Sequence, residues 1–255
     1  MFSDDQTGLR LIRLSEYDGD LDAVDRLPLG HWPEFLFHTA AIERCWHRLS
    51  ERFADWQLVV CDLASRELVG TANTVPFALG GVALADRQDG WDGALEAGTA
   101  ADAPPPDTLS ALGVLLVPAH RRPGASAFVL EAMKELARER GFSELVAPVR
   151  PTLKSSYPLT PFERFVGWRS ADGRPFDLWV RRHVELGGRI AGPCLQSMRV
   201  ERGVAEWEGW TGVDLPESGR YVIPGALVPI EVDRERNRAL YVEPNLWIRH
   251  AVGSG

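Results

Sequence analysis

The stretch "VPAHRRPGASAFVLEAMKELA", Val117–Ala137, decides how the chain is read. It starts at the end of an apolar run, "LSALGVLLVP" (Leu109–Pro118), whose near-continuous hydrophobicity predicts a central strand covered on both faces. It ends inside a helix predicted over Ala127–Arg140, where Val129, Met133, Leu136 and Ala137 recur at helical spacing and Gly141 can close the end. A second strand is predicted at "ELVAPV" (Glu144–Val149). Strand, helix and strand within about forty residues form a βαβ unit, so part of the sheet is parallel.

The loop "HRRPGAS" falls between strand and helix. The first helical turn leaves backbone N–H groups unpaired, and they concentrate partial positive charge there. A phosphate at that end takes several of those hydrogens. Gly124, Ala125 and Ser126 keep side-chain bulk away, Arg121 and Arg122 add charge, and Pro118 and Pro123 stiffen the approach. Neither G-x-G-x-x-G nor G-K-[ST] is present, so the loop differs from a dinucleotide fingerprint and from a P-loop. From the residues alone it reads either as a pyrophosphate cradle or as a solvated basic turn.

Working outward, "LRLIRL" (Leu9–Leu14) predicts a first strand, and Pro33–Phe53 one or two helices. Trp56–Leu63 and Leu68–Phe77 predict a hairpin. The segment 77–107 carries six acidic residues, one arginine (Arg87) and "PPP", and is too long for a plain connection. It reads as an insertion with a short helix around Trp91–Glu96. Trp91, isolated among polar residues, favours a lid or rim over a substrate pocket; a solvated, mobile loop is the alternative. Beyond Arg150 the chain predicts an irregular arm at Tyr157–Trp168. A helix follows over Pro175–Gly188, with Leu178, Val180, Val184 and Leu186 as core candidates. Later strands are predicted in "CLQSMRV", "GRYVIPGALVPIEVD" and "RALYVEPNLWIRH", with a tight turn at Asp233–Asn237. The content is α+β, expected as a single domain over 1–255 with the insertion 77–107 and a C-terminal elaboration about 189–255.

Composition narrows the partners. With 255 residues and a formal charge of −8, a broad nucleic-acid face is disfavoured. Cys45, Cys61 and Cys194 are too dispersed for a disulfide framework. The acidic start lacks a signal-peptide core, and no run approaches a membrane span, so a cytoplasmic protein without membrane partner is expected. The histidines (His31, His38, His47, His120, His183 and His250) show no ligand spacing, and no metal is expected.

A strand ending "LLVP", "RRPGAS" opening a helix, a helix ending "ARERGF" and a strand "ELVAPV" resemble the acetyl-CoA-binding core of the Gcn5-related N-acetyltransferases. The family loop is an R/Q-x-x-G-x-G/A run. Here Arg121, Arg122, Gly124 and Ala125 stand in it, and Ser126 or Ala127 occupies the second glycine position. The resemblance covers Leu109–Val149 firmly, and the preceding order of strand, helices and hairpin agrees with it.

That resemblance implies a mixed central sheet with flanking helices and a splayed strand pair. It implies pantetheine pairing with Leu115, Leu116 and Val117, and pyrophosphate on the N–H groups of Arg122, Gly124, Ala125, Ser126 and Ala127. It implies an acyltransferase moving an acetyl group from acetyl-CoA, as cosubstrate, to a primary amine by direct attack in a ternary complex. Proton transfer needs an acid and a base. Tyr157, His183 (with Trp179, where the family more often carries its acid tyrosine) and Glu231 are the candidates. Glu206 and Glu208, spaced to share a strand face, are with Trp207 and Trp210 candidates for the acceptor pocket. The acidic insertion suggests a cationic small-molecule or protein acceptor. A homodimer stays open, as does a non-catalytic acyl-CoA sensor or scaffold.

Overall fold

A computed structural model describes residues 2–20, 23–24, 27 and 32–253; His31 lies outside them. The strands are β1 (Phe2–Asp4), β2 (Leu9–Arg13), β3 (Leu58–Asp62), β4 (Leu68–Phe77), β5 (Thr108–Leu116), β6 (Glu144–Val149), β7 (Arg189–Arg202), β8 (Gly219–Tyr221), β9 (Ile230–Asp233) and β10 (Arg238–Ala251). They form one ten-stranded sheet in the order β1-β2-β3-β4-β5-β6-β10-β9-β8, with β7 also on β10. Every pairing is antiparallel except β5 with β6. The helices are α1 (Ala40–Cys45), α2 (His47–Arg52), α3 (Gly90–Thr99), α4 (Ala125–Glu139), α5 (Phe162–Val166), α6 (Leu178–Glu185) and α7 (Val204–Thr211).

The helix α4 shows how the sequence sets the fold. Val129, Leu130, Met133, Leu136 and Ala137 form its buried stripe, packed with Leu9, Leu58, Val60, Leu109 and Leu145 of the sheet. It ends where Gly141, at φ 80°, takes the left-handed conformation and Phe142 donates its N–H back to the Ala137 carbonyl. That is the six-to-one closure favoured by a glycine just past a helix. A second cluster joins Phe35, Trp91, Trp207, Tyr241 and Trp247 with α1, α3 and α7.

The insertion is ordered structure. Its helix α3 is stitched into an irregularity of β7, where the register against β10 shifts between Met198 and Cys194. Gln88 accepts the Gln196 N–H on its carbonyl and the Leu195 N–H on its side chain, and Ser197 Oγ accepts the Trp91 N–H. Asp92 accepts from the Arg199 N–H and from Thr39 Oγ1, the cap of α1. The segment expected as a lid, a rim or a solvated loop thus packs as a helix held by the unpaired groups of a bulged strand.

Other boundaries shift as well. Strand β1 is present where none was predicted, and "GRYVIPGALVPIEVD" is two short strands around a loop. On α6 the buried residues are Val180 and His183, whereas Leu178 is exposed.

Candidate functional site

The parallel pair β5 and β6 is joined only at Leu109–Leu145 and Ser110–Val146. Beyond those residues the strands part. Opposite β4, Asn73 faces Gly113 and Thr74 faces Ala111, so Leu112 is an extra, bulged residue. Trp91 donates its indole N–H to the Leu112 carbonyl. The gap is a cavity of about 440 Å³ running from the bulge to the start of α4. Leu130, Met133, Trp179 and His183 border it, as do Trp32, Trp91, Met198, Asn245 and Arg150.

At the open end, Gly124 caps α4 at φ 88°. The N–H groups of Gly124, Ser126 and Ala127 have no hydrogen-bond partner among the described residues. Those of Arg122 and Ala125 are taken by the carbonyls of His120 and Arg122. The Val117 N–H is held by Val69 of β4, and the Leu116 carbonyl accepts from Arg121 Nε. Of the N–H groups expected to meet the pyrophosphate, those of Gly124, Ser126 and Ala127 are thus left for a ligand, and those of Arg122 and Ala125 are used within the loop. Leu115, Leu116, Arg121, Arg122, Ala125 and Ser126 border the cavity. The Arg122 guanidinium is turned toward the Thr7 carbonyl and Asp62.

Among the proton-transfer candidates, only His183 borders the cavity. It is buried, contrary to a surface position, and its Nδ1 lies 2.9 Å from His250 Nε2. Burial, with His250 adding to it, pushes its pKa down to about 3, so the ring is neutral at physiological pH. Burial and then Lys134 push His250 down to about 4. Tyr157 instead packs its ring on Phe165, Trp168 and Phe176, away from the cavity, and its carbonyl accepts from the buried Lys154. Glu231 is exposed on β9, opposite Leu240 and Arg220.

The proposed acceptor face at Glu206, Trp207 and Glu208 is corrected too, because these residues lie on the helix α7. Glu206 accepts the Gly203 N–H, Glu208 accepts the Leu215 N–H and pairs with Arg234, and Trp207 is fully buried against Phe35 and Tyr241. None of the three borders the cavity. Trp91 does, as a fixed wall.

Sequence reasoning passed over the polar chain along the cavity floor. Ser197 Oγ donates to Asn245 Oδ1, and Asn245 Nδ2 donates to Glu243 Oε1. Glu243, fully buried, accepts Arg150 Nε at 2.9 and 3.1 Å on its two oxygens and the Tyr241 hydroxyl at 2.8 Å. The available signal was a glutamate inside the apolar run "YVEPNLW" and an arginine directly after a buried strand.

No protein-family model matches the chain. It is 34% identical over 250 residues to the arginine N-acetyltransferase avaD of Aspergillus versicolor, covering 87% of this chain and 85% of that protein. Among solved structures it resembles the loading GNATL domain of CurA from Lyngbya majuscula, at TM-score 0.58 and 16% identity over 96% of both chains. It also resembles the GphF GNAT-like decarboxylase in complex with isobutyryl-CoA, at TM-score 0.58 and 19% identity over 96% of this chain and 99% of that one. At such identities these two likenesses speak for the fold.

Proposed function

This chain belongs to the Gcn5-related N-acetyltransferase superfamily, and we propose that it moves an acetyl group from acetyl-CoA to the primary amine of a small molecule. The observation that carries this reading is the parting of β5 from β6 after two residue pairs. It leaves one edge of β5 without a strand partner, between the bulge at Leu112 and the free N–H groups of Gly124, Ser126 and Ala127. An extended pantetheine arm can pair along such an edge as an added strand does, with its diphosphate on the start of α4.

In this reading the thioester lies near the bulge, where backbone N–H groups can steady the tetrahedral oxyanion. The attacking amine loses its proton, the C–N bond forms, and the C–S bond breaks to leave the coenzyme A thiolate. His183 is a poor base, since a neutral imidazole so hard to protonate cannot hold the ammonium proton. Its role is positioning: hydrogen-bonded to His250, it presents a neutral polar edge to the cavity. The amine proton leaves through water.

The name of the 34% identical relative supports an acceptor of arginine type. The purified full chain, mixed with acetyl-CoA and a panel of amines, is expected to release free thiol and acetylated amine in equal amounts. Tight acetyl-CoA binding with no amine-dependent thiol release would overturn the enzymatic reading in favour of an acyl-CoA sensor.

A further inference from the structure

Arg150 stands at the head of the polar chain on the cavity floor. Its Nε is bound to both oxygens of Glu243, and its Nη2 donates to the Gly225 carbonyl. Glu243 is in turn fixed by Tyr241 and Asn245, and the Tyr241 hydroxyl accepts the Leu227 N–H. The guanidinium therefore has a set orientation before any ligand arrives. Its Nη1 has no hydrogen-bond partner among the described residues, and Arg150 borders the cavity.

The surroundings tell which chemistry suits that atom. Glu243 has its oxygens occupied by Arg150, Tyr241 and Asn245, so it offers nothing to a cationic ligand. Trp32, Trp91 and Met198, which border the same cavity, carry no charge. An unpaired guanidinium N–H on an apolar wall lacks an anionic acceptor, and a planar carboxylate meets it with charge-assisted hydrogen bonds.

We propose that the acceptor is an amino acid and that Arg150 Nη1 binds its carboxylate, which fixes where the reacting amine of the same molecule stands. This deepens the function proposed above and rests on it. The acceptor then carries both charges: a cationic end, and an anionic end held at Arg150.

The test compares pairs differing only in the carboxylate: L-arginine with agmatine, and L-lysine with cadaverine. With acetyl-CoA and the full chain, kcat/KM is expected to favour the amino acid by about 100-fold in at least one pair. Because Arg150→Gln alone would strand the buried Glu243, the double variant R150Q/E243Q is used, with its folding checked by circular dichroism. It is expected to narrow the preference to within about threefold, mainly through KM. Equal turnover of amino acid and amine by the native chain would overturn the proposal while leaving the acetyltransferase standing.

If no amine is acetylated, calorimetry with coenzyme A present reads the same question as binding. Preferential binding of L-arginine or L-lysine supports the carboxylate site, and equal or absent binding overturns it. A final arm exchanges acetyl-CoA for malonyl-CoA. Dependence of malonyl-CoA binding on Arg150, without dependence of the amino acid, would assign the guanidinium to the acyl chain and also overturn the proposal.

Discussion

Trp91 Nε1 lies 2.5 Å from the carbonyl oxygen of Leu112, so a helix of the inserted segment holds the bulge that opens the sheet. The bulged carbonyl has no strand partner there and would be a buried acceptor without a donor. Replacing Trp91 by Phe keeps most of the ring and removes the donor. We expect a loss of about 1–3 kcal/mol in unfolding free energy. We also expect a roughly 10- to 100-fold fall in kcat, because the bulge sets where the thioester lies. Trp207→Phe, equally buried but outside the cavity, is the control: it should lower stability and leave kcat near the native value. Matching kcat values for the two variants would argue against a role for the bulge.

Gly124 closes the loop at φ 88°, a conformation that a β-branched side chain enters only with strain. A Cβ there would also stand 3.4 Å from Thr7 Cγ2. Gly124→Val should raise the Kd for coenzyme A at least about tenfold, since the start of α4 must turn its N–H groups aside. Titration calorimetry reads this directly. Unchanged affinity would show that the diphosphate lies elsewhere.

Asp92 makes stability depend on pH. Burial, opposed by the Arg199 N–H and Thr39 and reinforced by Glu96 and Glu243, pushes its carboxyl up to about 7 from an ordinary 3.8. The folded chain keeps a proton that the unfolded chain releases near pH 3.8. The contribution of Asp92 is therefore fully present below that value and is lost as pH rises toward 7. His183 and His250, lowered to about 3 and 4, tilt much of the same window the other way, being costly to charge as pH falls below 6.5. The readout is thus the difference between native chain and Asp92→Asn in denaturant melts from pH 4 to 8. The variant is expected to gain on the native chain as pH rises; a constant difference would refute the assignment.

Strands β4 and β6 were legible because their signals are local. Glu144–Val149 matches β6 at both ends, and Leu68–Phe77 matches β4, since each is an apolar run bounded by polar or turn residues. The helix α4 begins at Ala125, two residues before its predicted start, with Gly124 as its cap. Other errors have a common cause. In "AEWEGW" the alternation of Glu and Trp imitates a strand, yet Glu206 closes onto the Gly203 N–H and fixes a helical turn. His183 has an outward appearance on its own helix and is buried only because His250 arrives from a strand 67 residues later. Arg150 and Glu243 are 93 residues apart, and no spacing rule connects them. The residues at the start of α4 and Trp91 could thus be singled out from local signals, and Arg150 and Glu243, whose contact is remote, could not.

Strand β10 lies between β7 on one side and β6 and β9 on the other, and it carries Glu243, Asn245 and His250. During synthesis on the ribosome, Arg150 and His183 emerge long before these partners. Until β10 is made, an arginine destined for burial has no counter-ion and one edge of β6 stays open. Arg150 and His183 thus gain their partners only after β10 has been made.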